Sequence, residues 1–221
     1  MDSLHNGLIA QLAPIDQALL LKKAKLVHFK AGEVLGASVE SAQQAFFLTS
    51  GSIALFVCKN SVDTDVGLAV GLVGSEGAVG LQSVLGMHAG NLTYLAQSPG
   101  SAYVVDALVL QRLIKRQSSV LLIISRYLWT LYESVAAMAA MSQSHDVRMR
   151  FAHWLQISFE RCEPDPLVMT HAHIAQMLGV RRASITLVAH EFKMAGIVDY
   201  SRGHIKMQKL ALLERIANGQ E

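Results

Sequence analysis

Cysteine is scarce in this chain. The two residues present, Cys58 and Cys162, lie far apart, which excludes a disulfide framework and a cysteine metal cluster. Each is expected as a small buried hydrophobe. Charge is also thin, at 16% of 221 residues against 52% hydrophobic, so disorder is expected only at the ends. No charged residue occurs from Gly77 to Val105. That gap would suit a membrane span, but Gln82, His88, Asn91, Gln97, Pro99 and repeated glycines interrupt it, so short buried strands are the better reading and no membrane partner is expected. Met1 to Gly7 has no basic region leading into an apolar run, so no secretory signal and a cytoplasmic location are expected. Catalytic motifs are missing as well. His28, His88, His145, His153 and His190 are scattered without an adjacent carboxylate or nucleophile motif. The His171 and His173 pair, two residues apart on a helix, would point about 200° apart and could not share a metal; both are expected to be exposed. No enzyme activity, metal site or cofactor is expected.

What is present divides into regions. From Leu8 to Ala24 apolar residues recur at helical spacing, broken at Pro14. From Lys25 to Asp106 short apolar runs are punctuated by glycine: Leu26 to Phe29, Ala45 to Leu48, Ile53 to Val57, Val66 to Val73, Leu92 to Ala96 and Ala102 to Val105. They predict an all-β sandwich or roll. Residues 107–144 return to helix, where Leu121, Ile124, Leu128, Leu131, Val135, Met138, Ser142 and His145 fall on alternating steps of three and four, the seam of a dimeric coiled coil. Arg126 and Glu133 argue against a bilayer span there, while Val120, Leu122, Ile123 and Trp129 predict packing on the β-region as well. A further helix over 146–161 leads to the Pro164 and Pro166 break.

The most specific stretch is Thr170 to Met207. Thr170 is a candidate N-cap before Ile174, Met177 and Leu178, and Gly179 is the expected left-handed terminator. The next helix, Val180 to Phe192, gathers Ile185, Val188, Ala189 and Phe192 on one face and leaves Arg181, Arg182, Ser184 and Lys193 opposite. Gly196 to Tyr200 and Ile205 to Met207 read as two strands around Ser201 to His204. This order predicts a winged helix-turn-helix, in which arginine reads guanine and small hydroxyls contact phosphate or base edges. Residues 167–210 carry six Lys or Arg against two Asp or Glu, a balance of +4, while residues 1–144 carry nine of each.

A β-roll, a long helix and a winged helix in that order resemble the Crp/Fnr family of bacterial transcription regulators. Phe29 to Leu35 and Phe46 to Leu55 resemble strand pairs of its cyclic-nucleotide-binding-like domain. The strongest resemblance runs through Leu178 to Thr186, Ala195 to Val198 and Arg202 to Ile205. The resemblance implies an α+β chain: a sensor β-roll with N-terminal helices over 1–117, a dimerisation helix over 118–144, and the winged domain over 145–221. It implies a homodimer on a palindromic double-stranded operator, with RNA polymerase as a further partner. Arg182 matches the base-contacting arginine; Thr170, Arg181, Ser184, Arg202 and His204 fall at phosphate-contact positions, and Thr186 lies within the same helix. The implied interface residues are Leu121, Ile124, Leu128, Leu131, Val135 and Met138. Two positions depart from the family: Ala183 replaces a glutamate that reads cytosine, and Leu187 replaces a second base-reading arginine.

The sensor departs further. Where nucleotide-binding members have a Gly-Glu pair and an Arg-Ser pair, this chain reads Gly80 to Gly86 and Gly90 to Thr93, without the acid or the arginine. Cyclic AMP is therefore not the expected effector; Gln82, Ser83, Asn91 and Thr93 are the candidate polar pocket for an unknown one. Two cysteines also exclude the family's iron–sulfur branch. Two alternatives stay open: a haem or metal sensor using His28, His88 or Met87, and an interaction protein that has lost DNA binding.

Overall fold

The computed structural model describes residues 5–36, 43–58, 67–87, 92–161, 167–201 and 203–220, without the Cys58 side chain. The chain opens with α1 (Gly7–Ala10) and α2 (Pro14–Leu21). Pro14 sits in the first turn of α2, where its missing N–H costs no helical bond. Asn6 anchors this segment: its Oδ1 accepts the N–H groups of Leu8 and Ile9, and its Nδ2 donates to the carbonyls of Leu48 and Gly77, each at 2.7 Å.

Eight strands follow: β1 (Lys25–Phe29), β2 (Val34–Leu35), β3 (Gln44–Ser50), β4 (Ile53–Cys58), β5 (Gly67–Val73), β6 (Ala78–Val79), β7 (Leu92–Ala96) and β8 (Gly100–Asp106). They pair antiparallel in two sheets, β1-β8-β3-β6 and β2-β7-β4-β5. Short apolar runs rather than strict alternation built them, and the packing gives the reason. On β3, Phe46 and Leu48 face the roll interior with Ile53, Leu55 and Val104. Their neighbours Ala45 and Phe47 face outward onto Leu8, Leu20, Leu110 and Ile124 of the helices. On β4, Ala54 and Phe56 face outward onto the C-terminal domain. Both faces are covered, so both must be apolar.

The helix predicted over 107–144 is two helices, α3 (Ala107–Arg116) and α4 (Ser118–Ser144), separated by Gln117 in extended backbone. By length and composition α4 could cross a membrane. Its packing places it on the roll instead. Tyr127 OH donates to the Ala78 carbonyl at 2.9 Å and accepts its N–H at 3.0 Å. A Cβ at Gly77 would collide with that phenol, so the close approach requires glycine.

The remainder is α5 (Val147–Arg161), β9 (Leu167–Val168), α6 (His171–Leu178), α7 (Arg182–Met194), β10 (Val198–Ser201), β11 (His204–Met207) and α8 (Leu210–Ala217). β9 and α8 carried no clear signal in the sequence: β9 has two residues, and α8 packs on α5 through Leu213 and Ile216. β10, β11 and β9 form a third antiparallel sheet.

Candidate nucleic-acid interface

The outward surface of the C-terminal domain is set by how α6 ends. Thr170 Oγ1 accepts the His173 N–H at 3.2 Å, as an N-cap should. Gly179 closes the helix at φ +63°, a conformation that disfavours a Cβ. The chain turns there and α7 begins with Arg182, Arg181 being its N-cap. Ile185, Ala189 and Phe192 are fully inside, with Val188 partly buried beside them. Arg181 and Arg182 are therefore exposed at a helix N-terminus, where free N–H groups and the helix dipole already favour phosphate.

Not every predicted contact residue points outward. Ser184 is half-buried. Thr186 donates its hydroxyl to the Arg182 carbonyl at 3.0 Å and lies 3.0 Å from His171 Nδ1. Lys193 bridges Asp199 at 3.3 Å and donates to the Tyr200 carbonyl, holding α7 to β10. His204 is exposed opposite Ser201, and Arg202 lies outside the described residues. In place of Ser184, the outward row of α7 is Ala183, Leu187, His190 and Met194, with Leu187 73% exposed. His190 was legible from its three- and four-residue spacing in that row.

The expectation of two exposed histidines holds for His173 only. His171 is half-buried against Tyr200, with ring centroids 4.4 Å apart. Because Thr186 gives its proton to the Arg182 carbonyl, His171 Nδ1 carries the hydrogen, and Nε2 is buried without a partner among the described residues. Burial, aided by Arg182, lowers its pKa; the ring is neutral and serves as a brace between α6 and α7.

Of the four effector-pocket candidates, Gln82, Ser83 and Thr93 lie within the described residues. Gln82 Oε1 accepts the Tyr94 hydroxyl at 2.8 Å, while Ser83 donates to the Gly80 carbonyl at 2.6 Å. Thr93 lies on β7, and Asn91 and His88 lie outside the described residues, as does Cys162. The Ser83 hydroxyl thus closes the 3-10 turn Leu81–Leu85 on itself, and Gln82 ties that turn to Tyr94 of β7. No cluster of three or more metal-binding side chains occurs among the described residues.

The six seam residues are divided by the packing. Ile124 is 7% exposed and belongs to the chain's own core; Leu131, Val135 and Met138 are half-buried, with Leu131 and Met138 against the roll and the C-terminal domain respectively. Leu121 and Leu128 are exposed at 46% and 38%. The open stripe is rotated by one residue: Leu121, Ser125, Leu128, Tyr132 and Ala136, flanked by Leu122 and Trp129. It shares Leu121 and Leu128 with the seam read from the sequence: an apolar helix carries two adjacent stripes with the same period, and only packing tells which one the roll uses.

Residues 149–216 match the Crp-like helix-turn-helix domain. No curated protein sequence matches the chain. Solved structures similar to it include a Crp-family transcriptional regulator from Thermus thermophilus, at TM-score 0.70 and 19% identity over 88% of this chain and 97% of that one. A second Crp/Fnr regulator from the same organism gives 0.68 and 17%, over 89% and 100%. A c-di-GMP responsive global regulator from Xanthomonas campestris gives 0.69 and 15%, over 88% and 99%. At these identities the structural likeness establishes the fold, and the domain match adds the helix-turn-helix. Residues 149–216 are thus a Crp-like helix-turn-helix domain, carried on a chain whose fold is like that of solved Crp/Fnr regulators.

Proposed function

We propose that this protein is a homodimeric, sequence-specific DNA-binding regulator that reads a palindromic operator with α7. The observation that carries the reading is the exposed start of α7, where Arg181 and Arg182 stand beside an outward row no part of the described chain covers. Arg182 reads a guanine; Arg181, with Thr170 and the wing residues Arg202 and His204, holds phosphates. Ala183 and Leu187 present methyl groups where acidic or basic readers stand in relatives, a chemistry suited to thymine methyls.

The dimer forms through the exposed stripe of α4. Leu121, Leu128, Trp129 and Tyr132 are all at least 38% exposed, and a contiguous apolar face on a helix needs a partner. Two-fold symmetry then sets the two α7 helices about one duplex turn, roughly 34 Å, apart. Cyclic AMP is not the ligand: the roll segment that would hold it has neither acid nor arginine, and its Ser83 hydroxyl and Gln82 Oε1 bond to the chain's own groups.

The test is operator selection from random duplexes followed by gel-shift titration. A palindromic consensus bound at nanomolar concentration supports the reading, and binding without sequence preference refutes it.

A further inference from the structure

The junction of the roll, α4 and the C-terminal domain forms a cavity of about 100 Å³ that opens to solvent on one side. Its apolar wall comes from Leu68 and Val70 on β5, Met138 and Met141 on α4, and Met177 and Leu178 on α6. Its polar residues are of one kind. Trp154 lines it, is 1% exposed, and its indole N–H finds no acceptor among the described residues. Arg150 donates only to the Leu178 carbonyl and meets no carboxylate among those residues. His153 also lines the wall, and Ser142 donates its hydroxyl proton to the Ala139 carbonyl.

The lining thus includes a residue with a buried, unpartnered N–H and a partly buried arginine within apolar walls, and supplies no anion of its own. Burial without a carboxylate lowers the Arg150 pKa, a sign that its charge is poorly compensated. A buried donor with no acceptor and a cation with no counterion both favour a ligand that brings negative oxygen.

We propose that this cavity binds a small carboxylate with a short apolar tail, its oxygens on Arg150 and Trp154 and its tail among the methionines. A cavity of ~150 Å³ accepts the six carbons of a benzene ring, so this one suits about four or five non-hydrogen atoms in all, a two- or three-carbon acid. Because the wall is built from both domains and α4, an occupant holds the C-terminal domain in this docked position. The site is separate from the DNA-facing surface, and its occupancy is read on protein alone, so failure here leaves the DNA-binding reading standing.

The test is titration calorimetry of the full chain with propionate and with propan-1-ol, which share a tail and differ in the head. The expected result is one propionate per chain, with the alcohol about tenfold weaker or worse. Arg150→Gln should remove the acid's advantage and leave the alcohol's affinity unchanged. Should that variant melt abnormally, Ala139→Phe, which adds bulk to the cavity wall from an exposed helix position, should abolish binding of both. Equal affinity for acid and alcohol, no millimolar binding of propionate, or undiminished binding by Ala139→Phe overturns the proposal.

Discussion

Arg181 and Arg182 are neighbours with different physical assignments, and substitution separates them. Arg182→Ala is expected to cost about 1 to 3 kcal/mol on the selected operator and to relax preference at one position of each half-site. Arg181→Ala should weaken all duplexes alike and lower the salt slope by about one unit for each phosphate left without its cation. Gel shifts at two salt concentrations distinguish them, and unchanged discrimination by Arg182→Ala would mean α7 is not docked this way. The arginines were legible because exposure at a helix start follows from the glycine turn and local apolar spacing. The role of His171 was not. Its partners are Thr186 and Tyr200, and contacts across fifteen residues or more leave no periodic trace.

Elements show the same division. The strands of the roll were placed from their apolar runs, but β2 and β6, each of two residues, are too short to carry a pattern. The long helix was legible in extent, while its two stripes were told apart only by packing. Leu128→Asp and Trp129→Asp should therefore both yield monomers by light scattering at micromolar concentration. Ile124→Asp should instead unfold the N-terminal domain, since it would bury an unpaired charge. A folded, dimeric Leu128→Asp variant would show that the exposed stripe has another partner. Tyr127→Phe should cost about 1 to 3 kcal/mol in chemical denaturation, because the N–H and C=O of Ala78 would both be left without a partner in a mostly buried site. Its phenol is kept protonated by burial.

For the whole molecule the decisive feature is that the roll and the C-terminal domain share a core. Ala54, Phe56, Ala69 and Leu72 pack in one cluster with Trp154, Ile174 and Met177. Polar links reinforce it: Gln97 donates to Ser158 at 2.9 Å, and Arg161 donates to the Leu72 carbonyl at 2.6 Å while pairing with Glu76 at 3.1 Å. Two histidines near these contacts give a pH dependence. Burial lowers the pKa of His153, and burial followed by Arg182 lowers that of His171, from 6.5. The unfolded chain then binds more protons, so stability is full above about 6.5 and is lost as pH falls towards the folded values. Thermal melts of His153→Gln should show a shallower acid-side decline than the parent; an identical decline would mean that His153 does not contribute.

Local chemistry settled the type and order of most elements here, the helix-turn-helix turn and the charged start of α7, because caps, glycine conformations and apolar periods act within a few residues. It also indicated that an acid and an arginine were missing from the sensor. Which stripe of α4 stays open, whether Gln82 and Ser83 face a ligand or the chain's own groups, and the cavity at Arg150 and Trp154 were decided by folding. Each depends on side chains from distant segments competing for one volume, and the apolar pattern of a segment states that it will be covered without stating by what.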